Sequence, residues 1–140
     1  MSSPVEPIEG YLPDGEVLVP DGQYVIRGWP LTTAGLLANA QATASRYSYR
    51  AEPFLAVSVE MTMPGWDAER ILSGRRVRTR RSYAMVLARS VLRGGFELLP
   101  TFDAPHYSVV MRSYTDDEAQ RLLHALGDKL ANPFYVRSQR

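Results

Sequence analysis

Eight arginines between residues 66 and 93 are the densest chemistry in the chain, and phosphate is the group they are suited to hold. The segment GRRVRTRR, residues 74–81, is arginine at five of its eight positions: Arg75, Arg76, Arg78, Arg80 and Arg81. Arg70, Arg89 and Arg93 flank it. A guanidinium presents a planar fork of N–H donors that matches a phosphate or a carboxylate, and several near one another release condensed counterions from a nucleic acid. The expected role is therefore a binding module whose segment 70–93 contacts nucleic acid. An acidic protein partner is the alternative, and a solvated loop whose arginines pair with the acidic N-terminal arm needs no partner at all.

Two constellations point instead to a small effector enzyme. His106 and Tyr107 open a strand-like run and Arg112 follows six residues after His106. An imidazole that titrates near neutrality, a phenol and a guanidinium could serve acid–base chemistry on RNA, the arginine stabilising the charge at phosphorus. Arg27-Gly28 at a strand end, with Ser58 and Glu60 two apart on a later strand, resembles the order found in ADP-ribosyltransferases. The resemblance covers no contiguous motif; it implies that these residue types hold a nicotinamide nucleotide and polarise its ribose. Asp116, Asp117 and Glu118 are explained by a helix N-terminus, where negative charge is favoured. His124 falls on a helix flank.

Composition removes other classes. The chain has 140 residues, 16 basic against 15 acidic, 45% hydrophobic and 22% charged, which describes an ordinary globular domain rather than a polyelectrolyte or a disordered tail. It has no cysteine and two histidines, so no metal site or cofactor is expected. No stretch approaches the apolar length of a membrane span, and the N-terminal residues lack a signal-peptide pattern, so a cytoplasmic protein is expected. Near-neutrality hides a separation of charge. Residues 1–26 hold Glu6, Glu9, Asp14, Glu16 and Asp21 with no Lys or Arg, whereas residues 66–93 set their eight arginines against only Asp67 and Glu69.

The elements that would position these groups follow from pattern. Residues 1–12, with Pro4 and Pro7, read as a flexible acidic arm, and 13–140 as one domain. Glu16–Val19 and Gln23–Arg27 flank the Pro20-Asp21-Gly22 turn as a short hairpin. A helix capped by Thr32 or Thr33 carries Leu36, Leu37, Ala40 and Ala44 to about Arg46. Phe54–Met61 is the clearest strand, with Leu55, Val57, Val59 and Met61 turned to the core. Trp66–Ser73 reads as a short helix, and residues 82–93 as another, with Tyr83, Val86, Leu87 and Val91 on its apolar face. That succession, followed by a hairpin, resembles a winged helix-turn-helix, although its connection is longer than the usual turn. Phe96–Phe102 and His106–Arg112 form the hairpin. Thr115 to Glu118 match a capping box ahead of a helix carrying Ala119, Leu122, Leu123 and Leu126. The expected fold is α+β: a small, largely antiparallel sheet of about five strands with about four helices in a single layer on one face.

Overall fold

The computed structural model describes residues 22–49, 53–102 and 104–136. They form one antiparallel sheet of six strands and four helices, in the order β1 Tyr24–Gly28, α1 Thr33–Arg46, β2 Ala56–Met61, α2 Ala68–Leu72, β3 Ser82–Leu87, α3 Ala88–Arg93, β4 Glu97–Pro100, β5 His106–Val110, α4 Asp116–Leu126 and β6 Leu130–Ala131. Across the sheet the strands run β4-β5-β2-β1-β3-β6. The expected acidic arm, the strand at Glu16–Val19 and Asp103 lie outside the described residues.

The alternation in β2 decides the two faces. Val57, Val59 and Met61 join Val25, Ala84, Leu98 and Val109 in the main core, which α1 closes with Leu36 and Ala40, α3 with Ala88 and Val91, and α4 with Ala119, Leu122 and Leu126. Three helices therefore cover the first face. The fourth does not join them: α2 and the arginine segment lie against the second face, where Ile71, Leu72 and Val77 pack on Ile26. A further small cluster, Tyr47, Phe54, Ala56 and Leu99, covers the same face towards β4. Between these two caps runs a polar strip on β2 and β5, in which Ser58 pairs with Ser108 and Glu60 with His106 across the ladder.

Helices α1 and α4 start where their caps predict. Thr32 Oγ1 accepts from the Gly35 N–H at 3.0 Å and Thr115 Oγ1 from the Glu118 N–H at 3.1 Å, each satisfying a donor that the first helical turn leaves open. Glu118, however, does not reach back to its cap. Its Oε2 accepts from the Arg112 N–H at 2.8 Å and its Oε1 from Arg121, so the expected capping box is only half made.

The expected helix over residues 82–93 is the main departure. Ser82–Leu87 is a strand and only Ala88–Arg93 is helical. The reason is burial on both faces: Ala84 belongs to the main core while Tyr83 and Met85 pack in the cluster on the second face. A strand covered on both sides loses the alternation that identifies a half-buried one, and its apolar run imitates a short helix. With a strand in that place, the helix succession of a winged helix-turn-helix is absent. The two-residue β6, at Leu130–Ala131, has no comparable sequence signal and exists by pairing with Ser82 and Tyr83.

Candidate functional site

The sheet is open between β1 and β2, and the opening is where the candidate site lies. The two strands pair at Val25 with Met61 and Ile26 with Glu60, then diverge. Beyond that point Ser58, paired with Ser108 of β5 on one side, has no strand partner on the β1 side. Its N–H donates instead to Asn39 Oδ1 of α1 at 2.9 Å, and its carbonyl accepts from Arg27 Nη1 at 2.7 Å. The same Nη1 donates to Asn39 Oδ1 at 3.0 Å, and Thr43 of α1 donates to the Ala56 carbonyl at 2.9 Å. Side chains thus replace the missing ladder bonds, which a buried backbone group requires. Leu36, Asn39, Ala40 and Thr43 share one helical stripe by spacing, so two polar residues on a buried face were the sequence signal for this arrangement.

Over the opening lies a cavity of about 540 Å³, lined by Arg27, Asn39, Ser58 and Glu60 together with Trp29, Arg75, Arg76 and Arg80. Arg27 and Glu60 are each only 8% exposed. Burial and the neighbouring Arg80 pull the Arg27 guanidinium down to about 10, while Glu60 pulls it the other way, so Arg27 stays charged at neutral pH. Burial pushes the Glu60 carboxyl up from the ordinary carboxylate range, with Arg76 and Arg27 opposing. Arg76 Nε stands 3.7 Å from Glu60 Oε2, an ion pair without a hydrogen bond. Arg27 Nε and Glu60 Oε2 have no hydrogen-bond partner among the described residues.

The arginine segment is held over this opening by its own core and by one asparagine. Val77 is 1% exposed beneath the segment. Asn132 Nδ2 lies 3.2 to 3.3 Å from the carbonyls of Leu72, Val77 and Arg80, and its Oδ1 accepts from the Phe134 N–H at 2.9 Å. Arg80 in turn lies close along Gly28: a β-carbon there would stand 2.8 Å from Arg80 Cγ, so only glycine permits that approach. No family model, curated protein or solved structure matches the chain. Its site is therefore read from this geometry alone.

The eight arginines separate into groups. Arg75, Arg76 and Arg80 meet Arg27 at the cavity. Arg70 lies over the Trp66 ring at 3.8 Å, and Arg81 over Tyr135 at 5.3 Å. Arg78 is exposed, and its carbonyl accepts from Val136 at 2.7 Å. Arg89 and Arg93 are exposed on α3, whose buried residues belong to the first face, so they stand apart from the segment. A second hollow of about 390 Å³ shares Trp29, Thr79 and Arg80 with the cavity and adds Arg81 and Lys129, extending the cationic lining along the surface.

The structure does not bring His106, Tyr107 and Arg112 together. As neighbours on β5, His106 and Tyr107 face opposite sides of the sheet, Tyr107 packing on the main core. Arg112 donates to the Gly95 carbonyl at 3.2 Å. His106 is 3% exposed, with Nδ1 3.1 Å from the Thr101 carbonyl and 2.9 Å from Thr101 Oγ1. Since a carbonyl only accepts, Nδ1 carries the proton, and the Thr101 and Ser108 hydroxyls share a hydrogen bond at 2.9 Å in which either can donate. Arg27, Ser58 and Glu60, by contrast, do come together. Trp29 and Asn39 were not anticipated at the site. Among the described residues there is no cluster of three metal-ligating side chains and no helix long and apolar enough to cross a membrane.

Proposed function

We propose that the protein binds single-stranded nucleic acid, with backbone phosphates held by Arg75, Arg76 and Arg80 at the cavity over the β1–β2 opening. The observation that supports this reading is convergence: four guanidinium groups and a single carboxylate line one cavity, and Arg81 and Lys129 continue the charge past Trp29. A track of cations suits a polymer of phosphates, and Trp29, 39% exposed beside it, offers a ring on which a base can stack. A recess admits a flexible strand more readily than a duplex or the convex surface of an acidic protein. Binding of a short single strand, followed by fluorescence anisotropy from about 50 to 200 mM salt, tests it. Replacing Arg75, Arg76 and Arg80 together by Gln is expected to weaken binding to all sequences alike and to flatten the salt slope by about 2, near 0.7 for each lost phosphate contact. Arg89→Gln with Arg93→Gln, on the other side of the sheet, is expected to change neither. Absence of binding by the wild type at about 50 mM salt, where phosphate contacts are favoured, overturns the proposal.

A second reading has its own support. Arg27, Ser58 and Glu60, the residue types noted for their likeness to ADP-ribosyltransferases, line the same cavity. A chain with that activity breaks the bond between nicotinamide and ribose and passes ADP-ribose to an acceptor, with Glu60 hydrogen-bonded to the ribose. Nicotinamide release from NAD, lost in Glu60→Gln, is its expected signature; a wild-type chain that releases none removes this reading.

A further inference from the structure

Two hollows of different character meet at one carboxylate. Glu60, Arg75, Arg76 and Val77 line both the arginine cavity and an adjoining groove of about 440 Å³, whose other walls include Trp66, Ile71 and Pro105. The first is cationic and the second is largely apolar. Both volumes fall in the range of roughly 300–1,000 Å³ typical of sites for small organic groups.

The carboxylate at the junction lacks a donor. Glu60 is more than nine-tenths buried, yet among the described residues its Oε2 accepts no hydrogen bond, and the cation beside it is the Arg76 Nε at 3.7 Å. Buried carboxylate oxygens are ordinarily hydrogen-bonded, and one that is not points to a partner supplied from elsewhere. The Arg76 side chain covers this oxygen but is 61% exposed. It can turn outward to a phosphate and uncover Oε2 as it does so.

We propose that one ribonucleotide unit bridges the two hollows, its base in the Trp66 groove, its phosphate on Arg75 and Arg76, and its ribose 2′-hydroxyl donating to Glu60. The inference rests on the nucleic-acid reading and deepens it: the chain selects RNA over DNA. Within a strand the 2′-hydroxyl is the one sugar donor that RNA offers and DNA lacks. A hydrogen bond to a charged acceptor gives about tenfold or more in affinity.

The test compares RNA, DNA and 2′-O-methyl RNA of one sequence by anisotropy at fixed salt. RNA is expected to bind about tenfold or more tightly than either of the others, since methylation removes the donor and keeps the RNA backbone. Glu60→Ala is expected to bind RNA and DNA alike, with its thermal midpoint recorded to show that it folds. Equal affinity of the wild type for all three ligands overturns the inference and leaves the nucleic-acid reading standing. Tight binding of RNA and 2′-O-methyl RNA together overturns the role of Glu60, because backbone shape would then carry the preference. Failure to bind any of the three overturns both readings.

Discussion

Replacing Arg27 by Met is expected to cost the fold about 3 kcal/mol or more, far above the effect of a typical surface arginine. The guanidinium takes the place of a missing strand. Its Nη1 satisfies the Ser58 carbonyl and the Asn39 side chain at the point where β1 and β2 part. A methionine of similar length fills the space without a donor, leaving the Ser58 carbonyl unpaired in a partly buried setting. It also removes one of the two cations that hold down the Glu60 carboxyl, leaving Arg76 alone in that role. Urea unfolding measures the loss. Arg27→Lys is expected to lie between wild type and Arg27→Met, because an ammonium restores the charge and the donors but is more strongly hydrated than a guanidinium and so costs more to bury. A loss below about 1 kcal/mol for Arg27→Met, the size of an ordinary exposed contact, would show that the opening is closed by something other than Arg27.

How far this arrangement could be read in advance depends on whether its signal was local. Thr32, Thr115 and the alternation through Val57, Val59 and Met61 announce themselves, since caps and half-buried strands leave patterns within a few residues. Ser82–Leu87 did not, because the main core on one side and the Ile26 cluster on the other demand apolar residues at successive positions. The site was partly legible for the same reason. A run of arginines is visible as a run, but which of them converge depends on Val77 being buried and on Asn132, more than fifty residues away, tying the Leu72, Val77 and Arg80 carbonyls together. Charge density along the chain thus overstated the surface: Arg89 and Arg93 are near the segment in sequence and on the other side of the sheet in space. Asn39 shows the converse. An amide on the buried stripe of a helix is a local sign of a distant need, here the unpaired backbone of Ser58.

Acidification below about pH 6.5 is expected to destabilise the protein, and His106 is the reason. Burial, helped by Arg76 and Arg46, pulls this imidazole from its ordinary 6.5 down to about 4, although the hydrogen bond to the Thr101 carbonyl favours the protonated form. The unfolded chain therefore takes up a proton near pH 6.5 that the folded chain refuses until about pH 4. In that window the unfolded state binds more protons, so stability is fully present above pH 6.5 and falls as pH drops towards 4. The full loss amounts to about 3 kcal/mol, at about 1.4 kcal/mol for each unit of displacement. Glu60 acts in the opposite sense: its raised pKa means the folded chain accepts a proton before the unfolded one, which returns some stability as pH falls. The histidine effect is accordingly clearest in the upper part of its window. Urea unfolding at closely spaced pH values, on wild type and His106→Gln, separates the two, and the variant is expected to lose most of the slope between pH 6.5 and 5. Equal slopes in both proteins would place the titrating group elsewhere. The same displacement bears on chemistry. At neutral pH the ring is uncharged with its Nδ1 proton committed to Thr101, so the expected effect of removing His106 is a weaker pH dependence of stability rather than a change in turnover or in binding.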